Sequence, residues 1–366
     1  MKSFETVPEQ DEAKRLLGAA LAEGPAHAYL FHGPPGVGKR RAALAFAGEL
    51  IGDPARVARR SHPDLYVLEP LGDQIRIDPV REMRRDLHMR PFEADRRVYL
   101  VHGAHLMNED AADALLKDLE EPPPYAVIVL VADELGPLPD TIRSRCQLVP
   151  FRRLSRGAVK SWLAARGLEG DGLEIAARVA AGRLDRAERL LDAQAGERRR
   201  AVLDLARAVY RDPAFEPGAA AAAVGKLAAA RGEEARSSAE REAQAAAEAG
   251  IEEPKRELDQ RLRRAERGAE RDEVLNALEI LASWYRDLVV VGSGADRAAL
   301  NSDRLAELAE DAQPDTAARA ERAAEAVRET WRSFEFNVST GLALEALFVQ
   351  LRRELASPVP AGAEAA

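Results

Sequence analysis

A single cysteine, Cys146, occurs in the 366 residues, which excludes an internal disulfide and any multi-cysteine zinc site. No apolar run approaches the roughly 18–20 residues that span a bilayer. Positive charge is in deficit, with a net charge of −9, which argues against a wholly basic coat for nucleic acid and leaves room only for local basic patches. The first residues, MKSFETVPEQDEAKRLL, lack the basic-then-apolar layout of a secretion signal. A cytoplasmic protein is therefore expected, with no membrane contact. Hydrophobic residues make up 46% of the chain and charged residues 31%, enough for two or three packed domains.

The stretch that organises the chain is AYLFHGPPGVGKRR, residues 28–41. A short apolar run leads into Gly33-Pro-Pro-Gly36-Val-Gly38-Lys39, and a helix-forming run follows. The order matches the phosphate-cradling pattern G-x-x-x-x-G-K-[ST] at every fixed position except the last. Glycines let backbone N–H groups curl around an anion, the helix N-terminus adds positive potential, and Lys39 is placed to reach the outer phosphates. The last position needs a hydroxyl for Mg²⁺, and it is Arg40, which has no lone pair to offer a metal.

Apolar runs at 64–69, 97–102, 126–132 and 147–151 read as further strands, with helices between them. Asp78 is a candidate helix cap with Pro79 at the first helical position, and Asn108 caps a helix halted by Pro122-Pro123-Pro124. A helix over residues 7–22 precedes the first strand. The pattern predicts an α/β domain with a five-stranded parallel sheet flanked by helices over 1–152. Two or three short helices at 153–195 form a lid, with a turn at Gly167–Gly170. An all-α region runs over 196–356, and 357–366 reads as a loose tail. Within the helical region, 217–272 reads as a long polar arm, interrupted near Gly250 and Pro254 and more a solvated face than a binding surface. Core spacing returns at Val274, Leu278, Leu281, Tyr285 and Leu288, and again at Leu344, Phe348, Leu351 and Leu355.

A nucleotide-hydrolysing site of this layout also needs acids at the end of the third strand, to hold Mg²⁺ and orient water. There the chain has His102 and Gly103, and a lone His105 two residues on. Two independent catalytic elements are thus missing, at Arg40 and at His102-Gly103. Thr141-Ile-Arg-Ser144-Arg145-Cys146, taken alone, is a basic loop before the last strand.

Taken together, HAYLFHGPPGVGK (27–39), SHPDLYVLEP (61–70), RVYLVHGAHLMN (97–108), ALLKDLEEPP (114–123) and TIRSRC (141–146) resemble the clamp-loader modules of the P-loop AAA+ class, and among them the delta-prime-type subunits of bacterial DNA polymerase III. The resemblance covers residues 1 to about 190; the collar-like remainder is matched only by cues such as ASWYRDLVV and NVSTGLALEALF. It implies a subunit without ATPase activity that works beside motor ATPase subunits and a wrench-like delta subunit. Together these would load a sliding clamp onto primer-template DNA, with the polymerase's nucleotidyltransferase activity in other subunits. It also implies that Arg145, next to Ser144, is an arginine finger presented in trans to a neighbour's ATP. The degenerate loop of Gly33, Gly36, Gly38, Lys39 and Arg40 would then hold ADP or ATP passively or not at all.

Two departures from that family matter. Gly52 to Arg60 is short and lacks the four cysteines of a zinc knuckle, so no metal is expected. In the lid, Gly182-Arg-Leu-Asp185 puts an acid where a nucleotide-sensing arginine is usual. The alternatives are a working motor ATPase of the same complex and an AAA+-like structural protein outside replication.

Overall fold

The computed structural model describes residue 4 and residues 6–70, 74–248, 254–334 and 338–355. The chain forms two compact units, residues 1–191 and 192–366. The tail expected at 357–366, and Gly250 in the arm, lie outside the described residues.

In the first unit, α1 (Asp11–Glu23) leads into β1 (Ala28–His32), followed by α2 (Lys39–Ile51) and the short α3 (Pro54–Ala58). Then come β2 (Leu65–Leu68), α4 (Ile77–Leu87), β3 (Arg97–His102), α5 (Glu109–Glu120) and β4 (Ala126–Ala132). The one-turn α6 (Asp140–Arg143) precedes β5 (Gln147–Pro150). The strands are all parallel, in the order β2-β3-β4-β1-β5. β3 and β4 are buried at every position, as a sheet covered on both faces requires.

Side chains alternate between two cores. Leu30, Tyr99, Val101, Ile128 and Leu130 meet Val80, Met83 and Leu87 of α4 and Leu115 of α5 on one face. Phe31, Val98, Leu100, Val127 and Val129 meet Leu17 of α1 and Phe46 of α2 on the other. Cys146 is buried in the first of these cores, and burial pushes its thiol up to about 12.

Three helices, α7 (Arg156–Ala164), α8 (Gly170–Val179) and α9 (Leu184–Arg189), close the first unit around Val159, Leu163, Ala177 and Ala187. Ser155 caps α7 by accepting from Ala158 N.

The second unit is helical: α10 (Ala195–Arg211), α11 (Pro217–Glu248), α12 (Lys255–Gly292), α13 (Leu305–Asp311), α14 (Pro314–Ser333) and α15 (Thr340–Leu355). Its core contains Leu278, Leu281, Tyr285, Leu288, Leu344, Phe348, Leu351 and Leu355, together with Val202, Val209 and Val327. Ala220, Ala221, Val224 and Ala228 of α11 belong to the same core. The polar arm expected over 217–272 is therefore anchored through its first turns, and only its distal part is largely solvated. Asp311 ties the unit together, accepting from Arg207, Tyr210 and Arg211, while Tyr210 Oη accepts from Trp284 Nε1 at 3.0 Å. Among the described residues no helix is long and apolar enough to cross a membrane.

Two boundaries differ from expectation. α4 starts at Ile77 with Arg76 at its cap position, so Asp78 and Pro79 lie inside the first turn. There Pro79 costs nothing, since the first N–H groups of a helix have no internal partner. α1 starts at Asp11 rather than near residue 7. Gln10, in the left-handed region at φ 59°, turns its side chain to Arg152 instead, donating to Arg152 O at 2.6 Å and accepting from Arg152 N at 2.9 Å.

Candidate functional site

The glycine loop lies between β1 and α2, at the C-terminal edge of a parallel sheet. Two of its glycines answer to close approaches. Gly33, at φ 136°, would put a Cβ 2.9 Å from the carbonyl carbon of Phe151. Gly36, at φ 73°, would put one 2.6 Å from the carboxyl carbon of Asp185. Gly38 holds the left-handed cap of α2 at φ 98°.

Lys39 is 4% exposed, and its ammonium has three partners within the chain. Asp133 Oδ1 lies 2.7 Å away, and the carbonyls of Gly33 and Pro34 accept from Nζ at 2.6 Å each. An ammonium has three donors, so all are engaged. Burial lowers the Lys39 pKa, and the Asp133 carboxylate works against that shift. Asp133 follows β4 directly, and its own N–H donates to Nδ1 of His105 at 3.1 Å.

The lid reaches the same loop. Leu184 N donates to Gly36 O at 2.6 Å, and the next residue, Asp185, sets its carboxylate against Gly36. Burial opposes ionisation of Asp185, but two hydrogen bonds from Arg183 (3.1 and 2.5 Å) and the charge of Arg189 outweigh it and hold its pKa low. The position is therefore anionic. Arg41 of α2 pairs with Glu188 of α9 and stacks over the Trp162 ring at 5.3 Å, adding a second tie between loop helix and lid.

The end of β3 carries no acid. His102 is fully buried, and among the described residues neither of its ring nitrogens has a hydrogen-bond partner. Burial, with the charge of Arg40 next in effect, lowers its pKa to about 4, so it is neutral at physiological pH. Gly103 turns the chain at φ 67° into a 3₁₀ turn, and Arg40 is exposed. A magnesium nucleotide does not fit this arrangement. The lysine's donors are used, a carboxylate stands on the loop, and no oxygen ligand for the metal occurs at residue 40, 102 or 103.

Ser144 and Arg145 lie elsewhere. Tyr29 pairs with Gln147, so β5 begins level with the start of β1, and Arg145 sits at the sheet edge opposite its own glycine loop. Ser144 donates to Thr141 O at 3.2 Å. The Arg145 side chain is 32% exposed, donates to Thr141 O at 2.8 Å and pairs with Glu120 at the end of α5. Thus the structure gathers Gly33, Gly36, Gly38 and Lys39 with Asp133 and Asp185, and leaves Ser144 and Arg145 apart. Asp133 was missed by sequence reasoning. Its only signal is an acid directly after a fully apolar strand, which commonly marks nothing more than the strand's end.

The five-stranded parallel sheet, the glycine loop at its C-terminal edge and the helical lid define a P-loop domain of the AAA+ class. A DNA polymerase III gamma subunit-related protein from Thermotoga maritima shares the fold, with a TM-score of 0.51 at 16% identity over 94% of this chain and 99% of that one. Residues 9–155 match the family described as DNA polymerase III, delta subunit. Over these residues the chain is similar to the delta-prime and gamma/tau subunits of bacterial DNA polymerase III.

It is 34% identical to the delta-prime subunit of Bacillus subtilis over 149 residues, 37% of this chain and 45% of that protein. Identity to the delta-prime subunit of Pseudomonas aeruginosa is 37% over 154 residues, 38% of this chain and 47% of that one. The tau subunit of Bacillus subtilis is 32% identical over 209 residues, 52% of this chain and 37% of its own length. The match thus spans less than half the length of each of these relatives.

Proposed function

We propose that the chain is a non-hydrolysing, delta-prime-type subunit of a DNA polymerase III clamp loader. In this reading it binds motor ATPase subunits and a delta subunit, helps place a sliding clamp on primer-template DNA, and lends Arg145 to a neighbour's ATP. One observation carries the reading: Lys39 is fully engaged by Asp133 and two loop carbonyls while Asp185 covers Gly36. A chain that closes its own site and presents an arginine at the opposite edge of the sheet is suited to act on another subunit's nucleotide. A guanidinium placed there stabilises transition-state charge, an effect worth on the order of 10³–10⁵ in rate in known cases.

The second reading is a motor ATPase of the gamma/tau kind. Gly33, Gly36, Gly38 and Lys39 favour it, as does the longer stretch matched by a tau subunit. ATP turnover decides between them. The purified chain should release no phosphate above background with Mg²⁺, alone or with primed DNA, and should raise the turnover of gamma/tau subunits when added to them. Turnover by the chain alone that is abolished by Lys39→Ala would transfer the assignment to the motor class.

A further inference from the structure

The distal arm carries a charge pattern that the nucleotide loop and the lid do not explain. On α12, Leu262 is buried and Leu258, Ala265 and Ala269 are half-buried, which sets the inner face of the helix. Gly232 of α11 lies against Glu270 and Glu266, and Arg236 pairs with Glu266 at 3.1 Å, so these acids turn toward α11. At about 100° per residue, Arg256, Gln260, Arg263, Arg264 and Arg267 share a single arc of about 100° opposite that inner face. All five are exposed, and no acid falls within the arc. Among the described residues none of the four arginines has an ion-pair or hydrogen-bond partner. What sets these four apart in a chain of net charge −9 is that they fall on one face of one helix.

We propose that this outward face of α12 binds the phosphate backbone of duplex DNA. The proposal rests on the reading that the chain works beside primer-template DNA. Four guanidiniums without a partner among the described residues form a row suited to an extended polyanion. Along the helix, Arg256 to Arg263 is a rise of about 10 Å and Arg263 to Arg267 about 6 Å. The row is thus about 16 Å long, an axial length over which one strand of a duplex carries four to five phosphates at about 3.4 Å of helix axis each. The face presents no aromatic or large aliphatic side chain. An acidic protein would thus find no buried anchor there, and unpaired bases would find no ring to stack on. Duplex backbone needs neither.

The test uses the full chain and a fluorescein-labelled primer-template duplex, read by anisotropy across a salt series. The quadruple variant Arg256→Gln, Arg263→Gln, Arg264→Gln, Arg267→Gln is compared with wild type and with Arg241→Gln on α11 as a control. Neutralising the row should weaken binding by roughly tenfold or more near 100 mM salt and reduce the slope of log K against log salt by about 3–4. The control should leave both unchanged. Equal binding and slope in wild type and quadruple variant overturn the proposal. So does displacement of the duplex by polyglutamate at matched charge, or a preference for single strands. Assembly with gamma/tau subunits, measured on the same preparations, separates the two claims. Normal assembly without a DNA effect refutes the arm alone, whereas a DNA effect in a chain that never assembles refutes the clamp-loader reading.

Discussion

The ammonium of Lys39 sits 2.7 Å from Asp133 Oδ1, which joins the start of α2 to the end of β4 across the C-terminal edge of the sheet. In a loop built to hold phosphates, that charge is matched by an acid of the chain itself. The lid adds Asp185 on the other side of the loop. The site is closed by two carboxylates rather than by the loss of its glycines.

Removing one of them should reopen it. Asp185→Ser abolishes the charge against Gly36 and keeps a small polar side chain at the N-terminus of α9. Affinity for a fluorescent ADP analogue should rise at least about tenfold, about 1.4 kcal/mol, with no gain in turnover because Arg40, His102 and Gly103 remain. Titrations that superimpose on wild type would show that Asp185 is not what bars the loop.

Arg145→Ala should leave the fold intact, since its pair with Glu120 is half-exposed and such pairs contribute about 0–1 kcal/mol. In a reconstituted clamp loader at matched assembly, the neighbouring ATP site should lose roughly 10³-fold or more in rate, so that total ATPase falls by that site's share. Lysine should rescue poorly, because a point charge lacks the two-pronged geometry of a guanidinium. Wild-type rates from the alanine variant would dismiss the finger role.

His102 should make the first unit sensitive to acid. Its folded pKa, about 4, lies below the ordinary histidine value of 6.5, so the unfolded chain binds the extra proton first. Stability from the buried neutral ring is complete above about pH 6.5 and is lost as pH falls toward 4, on the order of 3 kcal/mol over that window. The urea midpoint of wild type should fall progressively below that of His102→Leu as pH drops from about 6.5 toward 4, because the leucine variant has no proton to take up there. Parallel pH profiles would show that the ring does not titrate on unfolding.

Shortening the arm separates its two parts. Replacing residues 233–263 by a short linker removes, among the described residues, only two buried apolar ones, Ala239 and Leu262, and should move the thermal midpoint by a few degrees at most. Removing 217–272 takes Ala220, Ala221, Val224 and Ala228 out of the helical core and should unfold the second unit. Equal midpoints for the two deletions would contradict this packing.

The sheet was legible because its strands are written in apolar runs: β3 and β4 fall where residues 97–102 and 126–132 place them. The cap of α5 at Asn108 was legible too, since the side chain accepts from Ala111 N as an N-cap does. Less local features escaped. The base of α11 packs through alanines, whose small methyls give little periodic signal. Asp133 is distant in sequence from Lys39, and only the pairing of β1 with β4 brings them together. Asp185 stood out as an acid in the lid, but its contact with Gly36 depends on how three short helices close over the loop.

Cys146 is buried in the sheet core next to Arg145, its thiol held in the unreactive protonated form, and the helical unit has no thiol at all. The native chain thus carries its own clock for one half of the molecule. A thiol reagent in native buffer should react only at the rate at which the sheet opens, and the helical half contributes no background to that count.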